Sequence, residues 1–184
     1  MTRPEPTGSD GNKPITPEAA AAGRDPAHWS ATAIAALQAV LDRSRSTAGR
    51  AIQDTFAHPD RQMTAAEFVC FWNSSRTKAM ATVGKSGQPH IAPIHAEFVA
   101  GRLRTTIYES AVRRRDIRDN PHVALTTWGP GGAAAIVYGR AREIGGSLRD
   151  TRPGATGRPR RTVTLEIEVT RVYAMQPKGE RVSA

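Results

Sequence analysis

Four arginines lie close together in the segment SAVRRRDIRDNP, in the second half of the chain. They are Arg113, Arg114, Arg115 and Arg118, and Ser110 and Ala111 come just before them. Arginine binds phosphate through parallel hydrogen bonds, and a helix N-terminus adds free backbone N–H donors. The segment is therefore consistent with a phosphate site, a contact with nucleic acid or a solvated helix face.

The arginine segment is predicted to form one short helix that ends before Asn120-Pro121, because proline disfavours helix in the residue before it. Successive helical residues differ by about 100° around the axis, so three adjacent arginines cannot all contact one ligand. Arg114 and Arg118 share a face. The helix therefore divides its arginines between at least two roles.

The sequence offers little other chemistry. His90 and His95 are predicted on one strand, five residues apart, so they point to opposite faces and cannot bind one metal ion. Cys70 lies among hydrophobic residues of a predicted helix, which favours a buried, unreactive thiol. No phosphate-loop or dinucleotide-binding motif and no Ser/His/Asp set is present. The protein is therefore either a binding module or an enzyme that depends on a cofactor.

The net charge of +9 is unevenly distributed over the 184 residues. Residues 1–60 carry six basic and seven acidic side chains, whereas residues 61–184 carry twenty and ten. A basic folded region suits an anionic ligand. Aromatic residues make up only 5% of the chain and do not alternate with the arginines, which argues against a nucleic-acid interface.

The composition also predicts the compartment. No apolar stretch approaches the roughly 20 residues that a membrane helix needs, and the N-terminus has no apolar signal core. A single cysteine fits a reducing environment. We therefore expect a cytoplasmic protein that does not contact a membrane.

The N-terminal third is predicted to be a tail followed by helices. Residues 1–29 are rich in Pro, Gly, Ala and charge, which predicts a disordered tail. Residues 30–62 form a predicted helical extension that begins with Ser30 as its N-cap. Thr64 and Glu67 then have the spacing of a capping box at the start of the next helix. That helix opens the predicted main domain, residues 63–184.

Six strands are predicted after residue 76, mostly with short links between them. The last of them, TVTLEIEVTRVYAM, places Val163, Leu165, Ile167 and Val169 inward and residues such as Glu166 outward. A mainly β, antiparallel barrel or sandwich with short flanking helices follows. The basic segment 145–161 is predicted to be a mobile loop that is solvated, covers an anionic ligand or contacts nucleic acid.

Four segments, in this order, resemble the pyridoxamine 5'-phosphate oxidase-like superfamily of flavin and deazaflavin oxidoreductases. They are AMATVGKSGQP, RRRDIRDNPHVAL, VYGRAREI and TLEIEVTRVYAMQPKG, and the resemblance covers about residues 64–180. It implies a six-stranded antiparallel split β-barrel. It also implies a homodimer with cofactor sites at the subunit interface, where the loop and helix after the third strand hold the cofactor phosphate.

The resemblance also implies roles for individual residues of the arginine segment. Arg113 falls at the family's phosphate-contacting position and Arg115 at the second basic position. Ser110 and Ala111 occupy the preceding turn.

Three residues outside the arginine segment complete the implied cofactor site. Thr82 and Pro93 lie where they could line the ring site, and Trp128 either stacks on a ligand or is a buried strand tryptophan. Arg114 and Arg118 are assigned to the solvated helix face or to a contact across the dimer.

Two positions depart from the family pattern. Pyridoxamine-phosphate oxidases carry an Arg and a Lys on the second strand that help to hold the phosphate of FMN, and Ala92 and Glu97 stand there in this chain. This departure and the C-terminal segment favour the deazaflavin coenzyme F420 over FMN. The predicted function is hydride transfer between the reduced cofactor and a small organic substrate. The alternative is a non-catalytic flavin- or heme-binding barrel, with His95 as the residue to examine for heme.

Overall fold

The helices occupy mainly the N-terminal part of the chain. The computed structural model describes residues 17–56, 58–145, 148–150 and 160–179. Its α-helices are α1 (Pro17–Arg24), α2 (Ala31–Ser46), α3 (Arg50–Phe56), α4 (Ala65–Ser74) and α5 (Val112–Asp119). Within these residues, no helix is long and apolar enough to cross a lipid bilayer.

One antiparallel sheet contains all the described strands. They are β1 (Lys78–Val83), β2 (Pro89–Ile94), β3 (Ala96–Val99), β4 (Arg102–Tyr108), β5 (His122–Trp128), β6 (Ala134–Glu143), β7 (Leu148–Asp150) and β8 (Arg160–Met175). The strand order is β2-β1-β5-β6-β8-β4-β3, and β7 pairs with β8. The predicted class, a mainly β split barrel with flanking helices, is confirmed.

The strand count differs from the predicted six in two places. The predicted second strand breaks at His95, because its first half pairs with β1 and its second half with β4. Since β2 and β3 end the strand order on opposite sides and only His95 separates them, the sheet has to curl. The second difference is Leu148–Asp150, which forms β7 inside the predicted loop 145–161. Residues 146–147 and 151–159 of that loop lie outside the described residues.

Helix α4 packs into the barrel through its aromatic residues. The Phe68 and Phe98 ring centroids are 5.5 Å apart, and Trp72 Nε1 donates to the Ala96 carbonyl at 3.1 Å. All three aromatic side chains are buried, which stabilises the fold by about 2 kcal/mol for each ring. The capping box of Thr64 and Glu67 is confirmed.

Cys70 is exposed, and the prediction of a buried thiol is wrong. It lies two residues from both Phe68 and Trp72, so it points to the side of α4 away from the core. Partial desolvation raises the pKa of the Cys70 thiol, and the negative charges of Asp25 and Glu67 raise it further by smaller amounts.

Part of the predicted disordered tail is ordered. Residues 17–28 form α1 and a short 3-10 turn, Pro26–His28. The Gly23 carbonyl accepts hydrogen bonds from Ala100 N and Trp29 Nε1, both at 2.7 Å, so this segment is attached to the barrel. Residues 1–16 of the predicted tail lie outside the described residues.

Helix α2 packs on β8, and the Ser30 side chain caps its N-terminus as predicted. Leu37 and Leu41 enter the same hydrophobic core as the barrel strands. The Ser44 hydroxyl accepts a hydrogen bond from Val172 N at 3.0 Å and donates to Val40 O at 2.6 Å. This extension is therefore joined to the barrel through both apolar and polar contacts.

The inward set of β8 is confirmed for Val163, Leu165 and Ile167, which are all buried. Glu166 lies on the opposite face of β8, as predicted, yet only 6% of it is exposed. The reason is that Arg104 and Arg142 lie over its carboxylate, with N–O distances of 3.0 and 2.6 Å.

Candidate functional site

Asp116 holds the arginine helix α5 against the barrel. Its carboxylate is buried and accepts a hydrogen bond from Thr82 Oγ1 at 2.7 Å, and His90 Nδ1 lies 2.8 Å from the same oxygen. Burial raises the pKa of Asp116, but the hydrogen bonds with Thr82 and His90 outweigh it, together with the charges of His90 and Arg115. The pKa is therefore lowered below its ordinary value. This anchor fixes the rotation of α5 about its axis.

Two of the four arginines form ion pairs with β6. Arg114 binds Glu143 through two hydrogen bonds of 2.8 and 3.1 Å, and Arg118 Nε lies 3.3 Å from the same carboxylate. The hydrogen bond from Arg114 is the main cause of the lowered pKa of Glu143. The two arginines share a helix face, as predicted. That face is paired within the chain and is not simply solvated.

Arg113 points to a different side and lines a cavity of about 560 Å³. The cavity lies between the β2–β3 junction, β4 and α5, with α1 at one side. Its charged and polar lining includes Arg24, His95, Glu97, Arg104, Tyr108 and Arg113. We call this cavity the arginine pocket, after its three arginines.

The Nε atom of Arg113 is buried and has no hydrogen-bond partner within the described part of the chain. A buried donor of a charged group without a partner is destabilising by about 1–3 kcal/mol. An anionic group that accepts a hydrogen bond from this Nε would remove the cost. Arg113 is therefore the best candidate ligand-binding residue that the described structure offers.

The charge balance of the pocket is positive, with three arginines against the single carboxylate of Glu97. Glu97 Oε2 lies 2.6 Å from Arg24 Nε, and Glu97 Oε1 lies 3.1 Å from His95 Nε2. Arg104 also binds Glu166. The pocket thus retains cationic character. Among the described residues, each of its charged groups except Arg113 has an opposite charge or a histidine beside it.

The structure brings only some of the predicted site residues together. Arg113 and Pro93 line the arginine pocket. Ser110 is exposed in the turn before α5, and Ala111 is the N-cap residue of that helix. Arg115 is exposed and lies two residues from Arg113, on another face of the helix.

Two predicted ring-site residues lie away from the arginine pocket. Thr82 is buried and hydrogen-bonded to Asp116, so its side chain positions α5. Trp128 is 68% exposed, and the alternative that it is a buried strand tryptophan is wrong. It ends β5, where the chain turns away from the sheet at Gly129.

Sequence reasoning missed Arg24 and Arg104 as lining residues of the pocket. The sequence pattern could have indicated Arg104, since it alternates with Leu103 and Thr105 on a predicted strand and so lies on the face opposite to theirs. The sequence pattern could not have indicated Arg24, because its surroundings have the composition of a disordered tail.

A second surface lies beside the pocket and is mainly apolar, although Arg76 also lines it. Ile91 on β2 is 72% exposed, and it lines a cavity of about 580 Å³ together with Trp128, Ala92 and Pro93. Pro93 lines the arginine pocket as well. We call this surface the β2 face.

Lys78 lies beneath the β2 face and is fully buried. Its ammonium donates to the Ser75 carbonyl and lies 5.4 Å from the centroid of the Trp72 ring. Burial lowers the pKa of Lys78 to about 8, against the smaller opposing effect of Glu97.

Solved structures resemble this fold. A conserved hypothetical protein from Mycobacterium tuberculosis is 18% identical with a TM-score of 0.54, over 69% of this chain and 94% of the other. An F420 reductase is 20% identical with a TM-score of 0.42, over 52% and 87% of the two chains. A heme storage protein from Vibrio cholerae is 12% identical with a TM-score of 0.46, over 59% and 92%.

The comparison by sequence is more specific. No curated protein matches the chain significantly. The sequence profile of the pyridoxamine 5'-phosphate oxidase family matches residues 64–176, which include β1 to β8, α5 and most of the arginine pocket. The chain belongs to the pyridoxamine 5'-phosphate oxidase family.

Proposed function

We propose that this protein binds a phosphorylated flavin-type cofactor, coenzyme F420 or FMN, in the arginine pocket. The observation that carries the proposal is the buried, unpartnered Nε of Arg113 on the wall of that pocket. The volume of about 560 Å³ suits a small-molecule site. A phosphate group would supply the acceptor that Arg113 lacks.

The pocket residues would divide the work of binding. Arg113 and the backbone N–H groups in the first turn of α5 would hold the phosphate. The apolar lining, Ile94, Val99 and Ile107, would exclude water beside the ring. When bound, the cofactor supplies the hydride transfer to or from a small organic substrate, and the protein supplies position and electrostatics.

Of the two cofactors we favour coenzyme F420. Ala92 and Glu97 stand where the FMN-binding oxidases carry an Arg and a Lys. The Glu97 carboxylate lines the pocket and takes up part of the charge of Arg24. A pocket with fewer uncompensated cations is less suited to the dianionic phosphate of FMN than to the phosphodiester of the deazaflavin.

We further propose that the protein is a homodimer that covers the β2 face. Ile91 and Trp128 are large apolar side chains that are mostly exposed in the single chain. Exposed apolar patches of this kind commonly mark interaction sites. Because Pro93 lines both cavities, a second subunit on the β2 face would lie next to the arginine pocket.

The second candidate function is a non-catalytic heme- or flavin-binding barrel. The observation that favours it is His95, which lines the pocket and breaks the strand between β2 and β3. Its Nε2 is beside Glu97, so heme ligation would need this contact to open or the other ring nitrogen to be used.

The test is a titration of the purified full-length protein with coenzyme F420, FMN and hemin, followed by absorbance and fluorescence. Micromolar binding of either flavin-type cofactor supports the first proposal. Hemin binding alone, with a Soret band that His95→Ala shifts or removes, favours the second. Binding of none of the three overturns both.

If a cofactor binds, its reduced form is mixed anaerobically with a panel of small electrophilic substrates. Faster cofactor oxidation with the protein than without it supports an enzyme. Equal rates across the panel favour a carrier or storage role.

A further inference from the structure

Hydrogen bonds to two backbone carbonyls, those of Gly23 and Arg24, hold the backbone of Arg24 in place. The carbonyl of the preceding Gly23 accepts two hydrogen bonds of 2.7 Å, from Ala100 N and Trp29 Nε1. The carbonyl of Arg24 accepts one of 3.0 Å from Asn73 Nδ2. The end of α1 is therefore attached to the β3–β4 turn and to α4.

Asn73 explains why this attachment is specific. Its side chain also donates to Phe98 O at 3.0 Å and accepts from Phe98 N at 2.9 Å, so it pairs with the edge strand β3 like a strand residue. The same amide thus joins β3, which carries Glu97, to the backbone of Arg24. The backbone position of Arg24 is consequently set by the barrel itself.

The Arg24 side chain reaches the wall of the arginine pocket. Its Nε donates to Glu97 Oε2 at 2.6 Å, and 47% of the side chain is exposed. A guanidinium has five N–H donors, and Glu97 takes one of them. Within the described residues the other four have no hydrogen-bond partner, so one edge of the planar group is available to an anion.

We propose that Arg24 is a second anion-binding residue of the arginine pocket, and that Glu97 positions it. The inference rests on the proposed function, since it concerns the phosphate of the same cofactor. Arg113 and Arg24 line the pocket from different elements, α5 and α1. The segment before the barrel therefore completes the site.

The ion pair with Glu97 does not prevent this role. An ion pair with one partner this exposed is weak, so its rearrangement costs little. Glu97 also faces His95 at 3.1 Å, which gives the carboxylate a second partner if Arg24 shifts toward a phosphate.

The test compares cofactors with and without phosphate. Dissociation constants are measured for FMN and riboflavin, or for coenzyme F420 and its phosphate-free deazariboflavin, whichever pair the wild-type protein binds. The variants are Arg24→Ala, Arg24→Lys and, as matched control, Arg43→Ala, which removes an exposed arginine of α2.

We expect Arg24→Ala to weaken binding of the phosphorylated compound about tenfold, the loss of one charge-assisted hydrogen bond. Binding of the phosphate-free compound should change less than twofold. Arg24→Lys should recover part of the preference for phosphate, and Arg43→Ala should match the wild type.

Equal weakening of both compounds would assign Arg24 a purely structural role and overturn the inference, as would no change in either. Thermal unfolding of each variant shows whether α1 has detached. A wild-type protein that binds neither pair of compounds overturns the proposed function itself. A wild-type protein that binds the phosphorylated compound no better than Arg24→Ala does overturns only the inference about Arg24.

Discussion

Thr82 on β1 donates a hydrogen bond of 2.7 Å to Asp116 on α5, and both side chains are buried. The bond joins the barrel wall to the helix that carries Arg113, which lies three residues before Asp116. Residues three apart lie about 60° from each other around the helix axis. With Asp116 fixed against the barrel, Arg113 is therefore directed to one side of it, toward the pocket. Asp116 and Thr82 are therefore positioning residues for the candidate site.

Asp116→Asn should destabilise the protein by about 2 kcal/mol at neutral pH, because it removes a buried charge that accepts hydrogen bonds. The pKa of Asp116 is lowered in the folded state. Its contribution is therefore present above the ordinary pKa of an unfolded aspartate, 3.8, and is lost as the pH falls through the lower folded pKa. In urea unfolding, the difference in free energy of unfolding between the wild type and Asp116→Asn should decrease in acid. A difference that stays constant down to pH 2.5 would contradict this account.

Lys78→Met should change how stability depends on alkaline pH. The pKa of Lys78 is lowered to about 8 in the folded protein, from 10.5. Between these values the unfolded chain keeps a proton that the folded chain has released, so Lys78 makes stability rise with pH by at most about 1.4 kcal/mol per unit. In urea unfolding, the free energy of unfolding of the wild type should therefore increase relative to that of Lys78→Met between pH 7 and 10.

Lys85 offers the matched control, because its side chain is exposed and pairs only with Asp119 at 3.3 Å within the described residues. Lys85→Met should show the wild-type pH dependence. Parallel curves for wild type and Lys78→Met would mean that the Lys78 ammonium is not desolvated in the folded protein.

Ile91→Arg should dissociate the proposed dimer. The substitution places a charge at the centre of the β2 face, whereas Ile91 is already 72% exposed in the single chain, so folding should be unaffected. Sedimentation velocity should give a dimer for the wild type and a monomer for Ile91→Arg with an unchanged melting temperature. A wild type that sediments as a monomer at micromolar concentration would refute the dimer.

The sequence predicted those features that depend on local patterns. The capping box of Thr64 and Glu67 follows from spacing alone, and the inward set of β8 from simple alternation. Helical geometry predicts that the adjacent residues Arg113 and Arg114 point in different directions. In the structure Arg113 lines the pocket and Arg114 binds Glu143.

The features that the sequence did not predict depend on contacts between distant residues. The strand breaks at His95 because its halves pair with different partners. Glu166 is buried by arginines from two other strands. Arg24 lines the pocket from the end of α1, which Asn73 and Ala100 attach to the barrel. No local pattern contains this information.

The most direct test of the central claim is to compare Arg113→Ala with Arg114→Ala in cofactor binding. The two residues are adjacent and chemically identical, but Arg113 lines the pocket and Arg114 is paired with Glu143. Isothermal titration with coenzyme F420 or FMN should give a dissociation constant raised 10- to 100-fold for Arg113→Ala, from the loss of about 1.5–3 kcal/mol, and raised less than twofold for Arg114→Ala. Equal effects of the two substitutions would contradict the assignment of the arginine pocket as the cofactor site.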